Sequence, residues 1–306
     1  MMSKPATRLE ERIASGKPLL LAEISPPQGA DPAPLREIAR QYGGKVHALG
    51  INDNRDRVSM AALAAAALVA GEGIEPILHV NTRDRNRIAL VSEALGAQAL
   101  GVRNVLCTSG SHQTLGRFRA AKNVYDIDSI QLLQTIARLG EGCAPLNEGR
   151  IEGAGPFCLG AVASPDADPL EWQVSRLSKK IAAGAVFLIT QPVFDIERFN
   201  AWWKEVTRRG IHEKVAVVAG IQPLGPDELA EAKEGKRRPF RIPGTLVERV
   251  GSKSGAAAQR AAAVEIALET ITTLSGLSGL RGFAVSSGGQ SDTALEIIEK
   301  SGLGGK

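Results

Sequence analysis

Eight short runs rich in Val, Ile and Leu recur along the chain, each followed by a turn and then by residues with helical spacing. They are PLLLAEI (18–24), KVHALGI (45–51), IEPILHV (74–80), RNVLCTS (103–109), FCLGAVA (157–163), AVFLIT (185–190), KVAVVAGI (214–221) and LRGFAVSS (280–287). The runs are continuous rather than alternating, as expected of parallel strands covered by helices on both faces. Helices are expected over 34–42, from near Asp56, and over 126–139, 169–183, 195–208 and 291–300, with a longer helical stretch after residue 221. In RDRNRIALVSEALGA, Ile88, Val91 and Leu95 fall on one helical face.

Eight βα units in 306 residues are the count and size of a TIM barrel. A doubly wound open sheet is the alternative, and the absence of a G-x-G-x-x-G turn after the first run speaks against its nucleotide-binding form. The Gly/Pro-rich insertion at 141–155 is too short to separate two domains. The expected fold class is therefore α/β, a single-domain (β/α)8 TIM barrel over residues 1–306.

Composition narrows the partners. With 43% hydrophobic and 23% charged residues the chain reads as a soluble globular protein, and 4% aromatics argue against base-stacking platforms. A net charge of +4 is weak at this length, and the basic run KEGKRRPFR (233–241) reads as a solvated loop, so no nucleic-acid partner is expected. The slight positive balance suits an anionic small molecule. Cys107, Cys143 and Cys158 are odd in number and unpatterned, as in a reducing cytosol. The opening MMSKPATRLEERIASGK has no apolar leader, and AALAAAALVAG is too short to span a bilayer. A cytoplasmic protein without a membrane partner is expected.

Barrel chemistry is placed at the C-terminal ends of the strands. Those positions hold Glu23, Asn52 to Arg57, His79 with Asn81, Ser109 to Gln113, Ala163 to Asp168, Gln191, Gln222 and Ser286 to Gln290. The set is polar and mostly uncharged. His47, His79, His112 and His212 are scattered, so no metal site is expected. No Walker loop, G-x-S-x-G elbow or suggestive Cys–His pair is present. Glu23 stands out as a carboxylate inside an apolar run that Pro26 and Pro27 then end. Desolvation there favours the protonated form and suits a general acid near neutral pH. A structural carboxylate paired to a neighbouring Arg or Lys explains the position equally well.

Taken in order, these strand ends resemble the methylenetetrahydrofolate reductase family. The similarity runs through AEISPP, NDNRDRVSM, LHVNTRDRN, VLCTSGSHQTLG with AKNVYDIDSIQLL, RLSKKIAAGAVFLITQPVFDIERF and VVAGIQPL, from about residue 18 to 300. Since no regulatory domain fits after Lys306, the short bacterial type is expected. The resemblance implies a barrel that holds FAD and interconverts 5,10-methylenetetrahydrofolate and 5-methyltetrahydrofolate, with NAD(P)H or another electron partner using the same barrel mouth in turn. It makes Glu23 the group that protonates the folate nitrogen, and Gln191 a pterin contact, with Ser111 and Gln222 also on the folate side. It puts Asn52, His79, Ser109, Gly110, Ser111, Tyr125, Lys179 and Lys180 around the flavin.

Three departures stand beside this likeness. Ser111 occupies the place of a family Asp near the flavin ring; loss of that charge should raise the flavin potential and favour oxidation of methyl-folate. The Tyr and His that some members carry after the fifth strand are missing from GAVASPDADP, and SSGGQ replaces an arginine after the eighth. Flavin-independent hydride transfer between nicotinamide and folate, or a non-catalytic folate-binding partner of a methyltransferase, therefore stays open. So does self-association through helix faces such as AAAVEIALETITTL.

Overall fold

The computed structural model describes residues 6–54, 57–115, 120–144, 149–235 and 239–304. The apolar runs become strands β1 (Leu19–Ile24), β2 (Ala48–Ile51), β3 (Pro76–Asn81), β4 (Asn104–Thr108), β5 (Cys158–Ala163), β6 (Phe187–Pro192), β7 (Ala216–Ile221) and β8 (Gly282–Ser286). They pair in parallel in sequence order and close into a barrel. β1 is bonded on both edges, with Glu23 opposite Gly50 of β2 and Ser286 of β8. The open-sheet alternative is thereby excluded.

The helices are α1 (Arg8–Ala14), α2 (Ala33–Tyr42), α3 (Ala62–Gly71), α4 (Arg87–Ala99), α5 (Ser129–Gly140), α6 (Leu170–Ala182), α7 (Ile196–Arg208), α8 (Pro226–Lys233), α9 (Gly244–Gly251), α10 (Ala256–Ser275) and α11 (Ser291–Lys300). Two expectations change. The helix after β2 begins at Ala62 rather than near Asp56, which itself lies outside the described residues. Among the described residues, the stretch from 221 to β8 forms three helices, the second starting after Pro243 and the third after Gly255. Helix α1 was not anticipated, although T-x-x-E (Thr7 to Glu10) is a helix-start signature. The Thr7 hydroxyl accepts from the Glu10 amide at 3.1 Å.

Apolar residues form two layers. Outside the strands, Leu20, Ala22 and Ile24 belong to one buried cluster with Leu35, Val69, Ile136 and Trp202 from the helices. Inside, Leu19, Leu21, Ile77, Leu106, Phe187, Ile189 and Val218 fill the barrel. Leu9 of α1 joins this inner cluster, 1% exposed. Glu75, just before β3, holds α1 in place. Its carboxylate accepts from the Leu9 amide at 2.9 Å, Arg8 Nε at 3.0 Å and Asn104 Nδ2 at 2.9 Å. A third cluster joins Phe194 and Phe240 to α8, α9 and α10 beside the barrel. Among the described residues no helix is long and apolar enough to cross a membrane.

Phe187 is the largest inner side chain, and Gly160, its register partner on β5, makes room for it. A Cβ at Gly160 would lie 2.2 Å from the Phe187 ring. Truncation by Phe187→Ala is expected to cost about 3–5 kcal/mol, read as a lower urea midpoint with an unchanged m value.

Candidate active site

The C-terminal ends of the strands open onto a cavity of about 380 Å³. Strand periodicity decides what reaches its floor: Leu19 and Leu21 point inward, so Glu23 does too. Its side chain is 14% exposed and its Oε1 lies 3.8 Å from Nε2 of His79, which is 6% exposed on β3. Gly50 lies between them on β2. A Cβ there would come within 2.8 Å of His79 Nε2 and 3.1 Å of Glu23 Cγ, so any larger residue would push the pair apart. On the other edge, the Ser287 amide donates to the Glu23 carbonyl at 3.0 Å. Among the described residues, an ionisable group that faces Glu23 is the His79 imidazole.

The walls are built by loops. Beyond β2, Asp53 accepts from the Asn81 amide at 3.0 Å and Asn81 Nδ2 at 2.7 Å, and is paired to Arg85, which also holds Glu93. Burial pushes both carboxyls upward, with Arg85 pulling the other way. Beyond β4 the chain turns through Ser109, Gly110 and Ser111. Gly110 takes φ +74°, and the Tyr125 hydroxyl donates to its carbonyl at 3.2 Å. From the side of β5, helix α6 contributes Trp172, Gln173, Arg176 and Lys180, spaced so that they share a face. The Arg176 guanidinium carbon stands 5.0 Å from the centre of the Trp172 ring. Lys180 donates to the Val162 carbonyl. Burial, reinforced by the Arg176 charge and opposed by Asp128, lowers its pKa to about 8.

Of the residues singled out from sequence, Glu23, Asn52, His79, Ser109, Gly110, Ser111, Lys180 and Gln191 line the cavity. Gln191 does so from β6, where the register with β7 shifts between Ile189 and Pro192. Three others stand off it. Gln222 is 3% exposed and donates to Glu228 Oε1 at 2.9 Å. Tyr125 braces the Gly110 turn from behind, and Lys179 is exposed on α6. Arg55 and Asp56 of the NRDR segment, and Lys236 to Arg238 of the basic run, lie outside the described residues. Asp53, within the Asn52 to Arg57 stretch singled out from sequence, also lines the cavity, whereas sequence reading missed Arg83, Trp172 and Arg176 as wall residues. The four-residue spacing of Arg176 and Lys180 was the signal available for α6. Among the described residues no His, Cys, Asp and Glu cluster could hold a metal ion.

The donor set has two parts. Glu23 and His79 lie at the floor, and Arg176 and Lys180, with Asn52 and Ser109, place cations and neutral polar groups on the walls. Such a wall suits an elongated ligand with an anionic centre and a hydrogen-bonding ring edge.

Comparison with known proteins agrees with the motif order. The family model "Methylenetetrahydrofolate reductase" matches residues 8–302. A Caenorhabditis elegans protein named probable methylenetetrahydrofolate reductase (NADPH) is 23% identical over 230 residues, covering 71% of this chain and 32% of that one. Methylenetetrahydrofolate reductase 1 of Schizosaccharomyces pombe is 31% identical over 72 residues, 22% of this chain and 12% of that one. The chain thus spans about a third or less of the length of these relatives. Among solved structures, a Clostridium thermocellum protein described as binding two copies of 5-methyl-5,6,7,8-tetrahydrofolic acid has the same fold. Its TM-score is 0.64 at 13% identity, over 96% of this chain and 98% of that one.

The lowered Lys180 pKa has a measurable consequence. An anion bound beside it favours the ammonium form, so binding takes up a proton once the free lysine has lost its own. Affinity for an anionic ligand at this wall is expected to be level below about pH 7 and to fall as pH rises through about 8, as a binding titration over that range would show. Lys180→Met should bind more weakly at neutral pH and lose that slope.

Proposed function

This chain belongs to the methylenetetrahydrofolate reductase family, and from that premise we propose that it interconverts 5,10-methylenetetrahydrofolate and 5-methyltetrahydrofolate. The observation that carries the reading is the floor of the cavity, where Glu23 faces His79 in space that Gly50 leaves free. A carboxylic acid so shielded can give a proton to the folate nitrogen as the one-carbon ring opens and take it back in the reverse direction. Gln191, on the β6 rim of the same cavity, presents an amide that both donates and accepts, which matches a pterin edge.

FAD fits the wall described above. Asn52, His79, Ser109, Gly110 and Ser111 offer the ring-side groups, and Lys180 with Arg176 offers positive charge for a diphosphate. FAD, when bound, would supply the hydride chemistry. The residues of the chain bind, orient and exchange the proton. A single mouth suits folate and NAD(P)H, or another electron partner, taking turns. Ser111 in place of an acidic residue favours the methyl-folate oxidation direction. The three free cysteines, two of them buried, accord with a cytoplasmic protein.

Purified protein is expected to be yellow, and anaerobic 5-methyltetrahydrofolate is expected to bleach it. A colourless protein that cannot be reconstituted with FAD would overturn the flavin reading. Glu23→Gln is expected to keep flavin and folate affinity while folate turnover drops by about 10²–10⁴-fold. Full activity in that variant would remove Glu23 from its role.

A further inference from the structure

Arg83 is 4% exposed and sits in the β3–α4 loop, yet its bonds reach two other loops at the barrel mouth. Its Nε and Nη2 grip Asp84 at 2.6 and 2.8 Å, a two-point pair with its own neighbour. Nη2 also donates to the Asn54 carbonyl in the β2–α3 loop at 2.9 Å. Nη1 donates to the Ser111 carbonyl in the β4–α5 loop at 3.2 Å. The Arg83 carbonyl accepts from the Val124 amide at 2.7 Å, and the Thr82 carbonyl from the Tyr125 amide at 3.2 Å. At Gly110, a Cβ would lie 3.1 Å from Arg83 Cβ, so the turn is seated directly on this side chain.

Asn54, Gly110 and Ser111 line the cavity, but they come from different βα units whose strands are already packed without them. We propose that Arg83 is a positioning residue that locks the Ser109–Ser111 turn to the β2–α3 loop, so that the ligand-facing wall is formed before any ligand binds. The proposal deepens the functional reading above and rests on it for the identity of the ligand.

The chemistry explains the choice of residue. A planar guanidinium can hold a carboxylate with one edge and two carbonyls with the rest of its N–H groups, whereas an ammonium cannot span the same three directions. Asp84 balances the charge, so the lock stands without the ligand's own charge. Two backbone features accompany it: Asn54 and Tyr125 both take φ +43°. Holding these segments in advance spares the ligand the cost of ordering them.

The test compares wild type with Arg83→Lys, which keeps the charge, and with Tyr125→Phe, which removes only the second brace on Gly110. Amide hydrogen exchange is followed in residues 109–115 and 123–126 and, as a control, in β7 and β8. Affinity is measured for FAD and for 5-methyltetrahydrofolate. In Arg83→Lys, exchange is expected to speed up in the two wall segments but not in β7 or β8, with affinity for at least one ligand falling by about tenfold or more. Tyr125→Phe should show the same pattern more weakly. Wild-type exchange and affinities within twofold in Arg83→Lys would overturn the proposal, as would faster exchange spread evenly over the barrel. If wild type binds neither ligand, the functional reading fails, and the exchange pattern alone decides on the lock.

Discussion

Barrel closure is the constraint from which the site follows. Because β1 is bonded on both edges, its residues cannot turn about the strand axis, and every second side chain must enter a fixed interior. Leu19 and Leu21 meet that condition by packing with Ile77, Phe187 and Val218. The next inward position is Glu23, one layer higher, where its neighbours on the two flanking strands are Gly50 and Ser286. The carboxylate is thus carried to the mouth by the same periodicity that buries the leucines. Only the small size of residue 50 lets it stand beside an imidazole.

The two ends of the barrel are finished in opposite ways. At the N-terminal end α1 lays Leu9 into the inner cluster, and Glu75 ties its first turn to the start of β3 and β4. At the other end the loops keep their charges: Arg85 between Asp53 and Glu93, and Arg83 on Asp84. Buried ion pairs are a weak source of stability, because desolvation cancels much of their attraction. What such pairs do provide is direction, since a guanidinium fork accepts few geometries. The apolar end closes the fold, and the ionic end fixes the shape of the cavity.

This division also explains what the sequence made legible. The strands were readable because burial on both faces leaves continuous apolar runs, and inward residues such as Glu23, His79 and Gln191 follow from where those runs end. Loop residues were not readable in the same way. Gln222 directly follows β7 and Gln191 belongs to β6, yet the Gln222 amide turns to Glu228 on α8, a contact set by the three-dimensional packing of that helix. Tyr125 carries the family signal but reaches the cavity only through the Gly110 carbonyl. Trp172 and Arg176 were hidden for another reason. They sit on a helix, whose polar face reads as solvent-exposed until the helix is placed against the barrel mouth. Helix α1 was hidden by its brevity, with Leu9 as its only buried residue.

The resemblance implies an acidic residue where Ser111 stands, and the loops show what surrounds that position. A lone carboxylate on that turn would act on a ligand as a single fixed anion. Here the Ser111 carbonyl is bonded to Arg83, and the nearest carboxylate through that guanidinium is Asp84, whose side chain is 33% exposed. The turn therefore faces one end of a neutral pair, and the cationic end is the nearer one. A pair falls off with distance faster than a single charge and is further damped by solvent around its exposed anion. The serine and the arginine are thus joined through one backbone carbonyl, although they arise in different βα units.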